Sequence, residues 1–444
     1  MRQFDPDREE VVERAKKAGL EAIITIGSDI ESCWKAIELA EKYDFLYASI
    51  GIHPHDAKDF DERSYGELRE LARDPKAVAV GETGLDYHYD HSPREKQREV
   101  FRAHLALARE TGLPAIIHSR EAGADTLAIL GESGNTKGVL HCFSGDMEMA
   151  EAAMGMGFYI SIAGPVTFKK SVKLRDIAAR IPDDYLLIET DAPYLSPEPM
   201  RGKRNEPAYI VNTAGEIAHL RGVSLEDIAR ITSLNARRLF GIGALPLEGA
   251  IAYKIRESLY LNITNRCTNA CSFCVRFYSD FVKGHMLRLK DEPSAEELIA
   301  SIGKDPARYS EVVFCGYGEP LIRLDTVKEV SSWVKEKGGR VRINTNGHGN
   351  LIHKRNILPE LAGLVDVLSV SLDAHDAATY EKLCKPVYGN SYQAVIDFIK
   401  EAKKYVPEVQ ATVVEKEEVD IKKCGEIARG LGIPLRVRKL DVVG

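Results

Sequence analysis

Short runs rich in β-branched residues alternate with longer stretches whose apolar residues recur at three- and four-residue spacing. The strand-like runs of the first half are 22–27 (AIITIG), 46–52 (LYASIGI), 77–82 (AVAVGE), 115–118 (AIIH), 138–141 (GVLH), 158–162 (FYISI) and 186–189 (LLIE). Between them lie charged amphipathic stretches such as 7–18 and 95–110, which predict helices. Strands that alternate with helices in this way pair in parallel through crossover connections, so the fold class is α/β.

A region of this kind ending near residue 242 has the size of a TIM-type (β/α) barrel, in which reactive side chains come from the C-terminal ends of several strands. Those ends carry His53 and His55, Glu82, His118, His141, and Glu189 with Asp191. A single histidine there is ordinary structure. Five strand ends in register carrying imidazole or carboxylate point to a divalent cation: Zn, Mn or Mg. The segment 201–207 (RGKRNEP) places Arg201, Lys203 and Arg204 beside a glycine, a candidate phosphate clamp whose plain alternative is a solvated loop.

The pattern resumes after a Gly-rich stretch, 241–253 (GIGALPLEGAIAY), so the expected connector is 243–256 and the second domain 257–444. Its strand-like runs are 259–264, 311–315, 341–344, 367–371, 410–414 and 435–438. Six alternating units predict a partial, open (β/α)6 barrel. Directly after the first run come Cys267, Cys271 and Cys274, spaced C-x3-C-x2-C. Closely spaced thiolates hold iron–sulfur clusters, and three ligands leave one iron of a four-iron cluster open. Structural zinc asks for four closed ligands instead. Cys384 and Cys424 read as core or surface thiols.

Composition narrows the setting. With 60 Lys plus Arg against 67 Asp plus Glu the net charge is −7, which argues against a general nucleic-acid coat but allows a local basic patch. The start (MRQFDPD) lacks the apolar run of a leader peptide, and no stretch reads as membrane-spanning, so the expectation is a cytoplasmic protein with no membrane partner.

The motifs 51–55 (GIHPH), 81–86 (GETGLD), 117–120 (IHSR), 141–145 (HCFSG), 189–194 (ETDAPY) and 235–241 (NARRLFG) resemble the TatD family of metal-dependent hydrolases over residues 1–242. The resemblance implies a metal-dependent phosphodiesterase of deoxyribonuclease type. It implies Glu82, His118, His141 and Asp191 as metal ligands, Asp191 and Glu82 as catalytic carboxylates, and His53, Arg201 and Arg204 as substrate contacts. Family members open with a strand ending in His-x-His. Here the reading starts inside the following helix and counts seven strands where eight close a barrel, so the expectation is that the protein starts upstream of Met1.

The second half resembles the radical S-adenosylmethionine (radical SAM) superfamily. Phe273 fills the aromatic position before the last cysteine, and 316–320 (GYGEP) is similar to the loop that holds the methionine amino group, with Tyr317 intervening. The likeness implies a 4Fe-4S cluster on Cys267, Cys271 and Cys274. It implies S-adenosyl-L-methionine contacts from Phe273, Gly316, Gly318, Glu319 and Pro320, with Ser371 at the ribose. Flavodoxin or ferredoxin would supply the electron for reductive cleavage. The pairing of halves resembles TatD-linked radical SAM proteins and implies a bifunctional fusion. The alternative is a radical SAM enzyme whose first half binds phosphate or nucleic acid without hydrolysis, DNA or another phosphodiester being the first half's partner either way.

Overall fold

The computed structural model describes residues 2–134 and 136–439; Met1 and the expected end of the second domain, 440–444, lie outside the described residues. The chain divides into two compact units, Met1–Leu245 and Pro246–Gly444. No described helix is long and apolar enough to cross a membrane.

In the first unit seven strands form one parallel sheet in sequence order: β1 (Ile23–Ile26), β2 (Leu46–Ile50), β3 (Ala77–Asp86), β4 (Ala115–Arg120), β5 (Gly138–Leu140), β6 (Phe158–Ile162) and β7 (Leu186–Ile188). All seven coincide with the runs read from sequence. Among the described residues β1 and β7 are the two edges, so the curled sheet stays open between them. Crossover helices cover it. The helix Arg94–Thr111 turns Val100, Phe101, Leu105 and Ala108 inward at three- and four-residue spacing. Large side chains fully buried in this way each contribute roughly 1.5–3 kcal/mol. The helix ends at Gly112, whose φ of 74° gives the left-handed cap that glycine adopts without a Cβ penalty.

The second unit has the sheet order β16-β15-β14-β13-β12-β9-β8. Here β9 (Ser258–Leu261), β12 (Val312–Phe314), β13 (Val341–Thr345), β14 (Val367–Ser371), β15 (Glu408–Glu415) and β16 (Leu435–Lys439) are parallel. These are the six expected strands. A seventh, β8 (Ala252–Ile255), lies inside the stretch read as connector and pairs antiparallel with β9. Its signal was too short to register: Tyr253 is its one buried side chain, and a tight turn at Arg256 and Glu257, with Arg256 at φ 54°, folds it back. A small hairpin of β10 (Phe281–Val282) and β11 (His285–Met286) follows the cysteine loop.

Candidate functional site

The C-terminal end of β3 is the centre of the first site. Gly81 and Gly84 both have φ near 140°, and a Cβ on them would lie 2.4 Å from the Ile116 carbonyl oxygen and 2.0 Å from that of His118. Only glycine allows β3 to press against β4 this way. The register shifts between Val80 and Thr83, and Glu82 sits at that irregularity. Three imidazoles converge on one of its oxygens. His141 Nε2 lies 2.7 Å from Glu82 Oε1, His118 Nδ1 2.9 Å and His53 Nε2 3.4 Å.

The outer nitrogens are also engaged. His118 Nε2 lies 3.2 Å from Asp86 Oδ2, which His55 Nε2 reaches at 3.0 Å, and His141 Nδ1 lies 3.0 Å from Glu189 Oε1. Burial opposes charge on Glu82, His118 and His141, yet the pairing wins. Burial raises Glu82, but His141, His118 and His53 hold its carboxyl well below the usual range. Burial lowers His141 and His118, but Glu82 with Glu189, and Asp86 with Glu82, raise them.

Asp191, at φ 52°, is the exception. Burial pushes its carboxyl up to about 7, the His141 charge pulling against that and Glu189 with it. Its carboxylate makes no hydrogen bond among the described residues. A group poised near neutrality beside cationic rings suits proton transfer.

His53, Glu82 and His118 offer ligand atoms within 4.8 Å of one another. Two imidazoles and a carboxylate at that spacing are the donor set of a divalent cation, so the residues fit one. His53, read from the family likeness as a substrate contact, thus stands among the candidate ligands. His141 is within reach through Glu82. Behind them, the ring of buried His104 accepts from Ile52 N at 3.0 Å and donates from Nδ1 to Val100 O at 2.8 Å, fixing the backbone next to His53. That support carried no sequence signal, since His104 sits at an ordinary helical core position. Arg204 is elsewhere engaged. It forms a two-pronged pair with Asp7 (2.6 and 2.8 Å), donates to Gln3 O, and lies over the Phe4 ring. Arg201 lies over Phe168 with Glu198 3.8 Å away and is largely exposed, which leaves it the freer of the two.

Residues 1–241 match the family described as TatD related DNase, and 261–420 match the radical SAM superfamily. The chain belongs to the TatD-related DNase family. Its TatD unit is 50% identical over 242 residues to an uncharacterized metal-dependent hydrolase, YabD, of Bacillus subtilis, covering 54% of this chain and 95% of that protein. It is 40% identical over 250 residues to the 3'-5' ssDNA/RNA exonuclease TatD of a Rahnella species, covering 54% and 95%. The crystal structure of the TatD homologue YJJV from Escherichia coli superposes with a TM-score of 0.52 at 32% identity, covering 54% and 94%. The TatD unit is thus a metal-dependent hydrolase domain, fused to a radical SAM domain. Both families are enzymes, one implying a divalent metal and the other an iron–sulfur cluster with S-adenosylmethionine.

In the radical SAM unit all three motif cysteines are free thiols on one loop after β9, and eight free cysteines in the chain leave no disulfide. The loop is pinned by the segment 383–387: Leu383 and Cys384 carbonyls accept from Ser272 N and Ala270 N, and Val387 N donates to Thr268 O. Two N–H groups point at Cys267 Sγ, from Asn269 N at 3.5 Å and Asn346 Nδ2 at 3.7 Å. Burial raises the Cys267 thiol to about 11, with Glu319 adding to it. The fully buried Cys384 is within hydrogen-bond reach of Cys271, and that contact with burial pushes it far up.

Gly316 and Gly318 allow a close approach: a Cβ would meet Asn262 Oδ1 at 2.1 Å and Arg266 O at 2.3 Å. Tyr317 between them is buried beside Tyr253 and Leu287, which explains a large residue in this loop. The Glu319 carboxylate faces inward. It accepts from Leu321 N (3.0 Å), Thr345 Oγ1 (2.8 Å) and Asn346 N (2.7 Å), while burial raises it to about 7. Pro320 starts a buried turn, Phe273 packs on the core with Lys416 Nζ 5.6 Å over its ring, and Ser371 ends β14.

Three buried acceptor atoms near these elements have no hydrogen-bond partner among the described residues: Asn269 Oδ1, Asn344 Oδ1 and Asp373 Oδ1. An unpaired buried acceptor costs about 1–3 kcal/mol, so each of these atoms suits a ligand that brings donors or positive charge. S-adenosylmethionine, with its amino, sulfonium, hydroxyl and adenine groups, is such a ligand. Asn344 lies in β13 and Asp373 just past β14, and neither is singled out by the sequence. What marks them is burial without a partner, which only the fold reveals.

Proposed function

We propose that this protein is a two-activity enzyme: a phosphodiesterase acting on nucleic acid, fused to a radical SAM enzyme. The observation that carries the first half is the convergence of three imidazole nitrogens on Glu82 Oε1 beside the near-neutral Asp191. His53, Glu82, His118, His141 and Asp191 would hold a divalent ion, Zn, Mn or Mg. Such an ion supplies Lewis-acid stabilisation of phosphoryl charge and makes nearby water more acidic. His118 and His141 would each give up the proton on the nitrogen facing Glu82 to become ligands, while Asp86 and Glu189 keep the proton on the outer nitrogen and so fix each ring. Asp191 accepts the proton of the attacking water. Arg201, exposed and held only by a 3.8 Å contact to Glu198 and the Phe168 ring, would pair with a non-bridging phosphate oxygen.

In the second half Cys267, Cys271 and Cys274 would hold a 4Fe-4S cluster. Gly316, Gly318 and Pro320 shape the loop for the methionine part, and Asn344, Ser371 and Asp373 accept from the ribose and cationic groups. Glu319 holds that loop to Asn346 beside Cys267. A bound cluster supplies the electron that cleaves S-adenosylmethionine, with flavodoxin or ferredoxin as external donor.

The test is hydrolysis of bis(p-nitrophenyl) phosphate and of DNA with added Mn²⁺, beside Asp191→Asn. Metal-dependent turnover that the substitution removes supports the hydrolase. Turnover equal in both, or absent from the unsubstituted protein, rejects it.

A further inference from the structure

The cysteine loop of the radical SAM unit is seated on the end of a helix. That helix, Ala377–Cys384, stops at Lys385, whose φ of 45° turns the chain away. The carbonyls of a last helical turn have no partners inside the helix, and here the loop supplies them. Ala270 N donates to Cys384 O at 2.9 Å and Ser272 N to Leu383 O at 2.8 Å. These two N–H groups flank Cys271, so its backbone is clamped against the helix end that carries Cys384. Val387 N to Thr268 O at 3.0 Å and the antiparallel bridge of Asn269 with Pro386 hold the same register.

The side chains meet as well. Cys384 is fully buried in the core of this unit, Cys271 packs on that core half-buried, and the two thiols are within hydrogen-bond reach of each other. A buried cysteine ordinarily serves as a small apolar side chain. The buried Cys33 is of that kind, its sulfur set against the backbone of Gly51. Cys384 instead lies sulfur to sulfur with a motif cysteine. With both backbones already fixed, small side-chain rotations would bring the pair to the S–S distance of about 2.05 Å that a disulfide requires.

We propose that Cys271 and Cys384 form a reversible disulfide when Cys271 is not held by a cluster, a modification site that gates cluster assembly. The gating rests on the reading of Cys271 as a cluster ligand; the bond itself does not. The oxidant is a low-molecular-weight disulfide such as oxidised glutathione. The Cys271 thiolate attacks it, forming a mixed disulfide and releasing one glutathione thiolate. Cys384, shut away from solvent, then attacks the Cys271 sulfur, and the second glutathione leaves with the Cys384 proton. Two protein thiols are oxidised and one glutathione disulfide is reduced to two thiols. The bond keeps Cys271 from irreversible oxidation to the sulfinic acid. It also withholds one of three cluster thiolates until a reductant returns it.

The experiment treats the cluster-free full chain with oxidised glutathione under anaerobic conditions, alkylates the remaining thiols in denaturant and maps the tryptic peptides by mass. Cleavage after Arg266 and Arg276 leaves all three motif cysteines in 267–276, so fragmentation locates the link. The expected link joins Cys271 to Cys384. In Cys384→Ser and Cys384→Ala it should be absent and Cys271 should retain glutathione. The oxidised, unsubstituted protein should lose most of its uptake of iron and sulfide during reconstitution without thiol reductant, and dithiothreitol should restore it. A link between motif cysteines, or glutathione left on Cys271 beside an alkylated Cys384, overturns the site. So does an iron deficit under reducing conditions in a Cys384 variant whose denaturant midpoint is unchanged, since Cys384 would then serve cluster loading itself. If the reduced, unsubstituted protein takes up no iron, the cluster reading fails and the gating with it, while the peptide map still decides the disulfide.

Discussion

Each unit sets a buried histidine behind its reactive loop, one next to His53 and the other next to Cys267, and the two are held differently. His104 has only backbone partners: Val100 O must accept and Ile52 N must donate, so one neutral tautomer fits. His348 has only hydroxyl partners, Thr268 Oγ1 at 2.9 Å and Tyr380 OH at 3.1 Å, and both can turn to suit either tautomer. Burial lowers both rings to about 4, so both are neutral at pH 7. The contrast suits the two chemistries. A cation site needs fixed ligand positions, whereas a cluster changes charge by one unit as it works, and hydroxyls that reorient can follow that change. The radical SAM unit also leaves single oxygens of Asn269, Asn344 and Asp373 unpaired, whereas Glu82, Asp86 and Glu189 of the hydrolase site are paired with imidazoles and Asp191 alone is not.

The largest expected effect separates the two units outright. Cys267→Ala should remove most of the iron and acid-labile sulfide after anaerobic reconstitution, since it takes away one of the three thiolates on the loop. Aryl diester hydrolysis should persist. Hydrolysis that vanished with the iron would show that the two sites are not independent.

Asp191→Asn comes next. Loss of a positioned proton acceptor lowers kcat by roughly 10²- to 10⁴-fold, and the iron content of the second unit should not move. A loss under tenfold would leave Glu82 or Glu189 as the acceptor and break the assignment of Asp191.

The histidine comparison itself is tested by pH. The folded pKa of His104 is lowered from 6.5 to about 4, so the unfolded chain binds the proton more readily. Its contribution is complete above pH 6.5 and is lost as pH falls towards 4, reaching about 3 kcal/mol at about 1.4 kcal/mol per unit. Denaturant unfolding between pH 7 and pH 5 should show about 2 kcal/mol of this. In His104→Leu that slope should flatten, while the unpaired Ile52 N–H costs about 1–3 kcal/mol at pH 7. An unaltered slope in the variant would assign the acid sensitivity to other groups.

Much of this was legible in sequence because the periodicity and the catalytic letters agree. All seven strands of the first sheet and six of the second follow from their apolar runs, and Glu82, His118, His141 and Asp191 come together as strand-end positions should. The Cys triplet is written in consecutive spacing. β8 escaped because four residues with one buried side chain look like connector. His104, Asn346 and Asp373 escaped for another reason: the first two depend on partners 52 and 79 residues away in sequence, Ile52 and Cys267, and the third on a buried Oδ1 left unpaired. Arg204 illustrates the converse, since a basic cluster near a glycine cannot reveal that Asp7 already holds the guanidinium.

The smallest expected effect tests whether the hydroxyl string behind Cys267 reaches the cluster. Asn346 is the link: its Nδ2 donates to Thr268 Oγ1 at 2.8 Å and points at Cys267 Sγ at 3.7 Å, while its backbone N–H is held by Glu319. An N–H directed at a cluster sulfur stabilises the reduced, more negative state and raises the potential. Asn346→Ala removes one such donor, worth about 1 kcal/mol, so the midpoint potential should fall by roughly 40 mV for one electron. His348→Gln, two steps further along the string, should shift it by less and in the same direction. A potential unchanged by Asn346→Ala, with iron content intact, would confine the Thr268–His348–Tyr380 string to holding the loop. A drop in both variants would make it part of the redox tuning, and the adjustable histidine would then differ from His104 in function as well as in bonding.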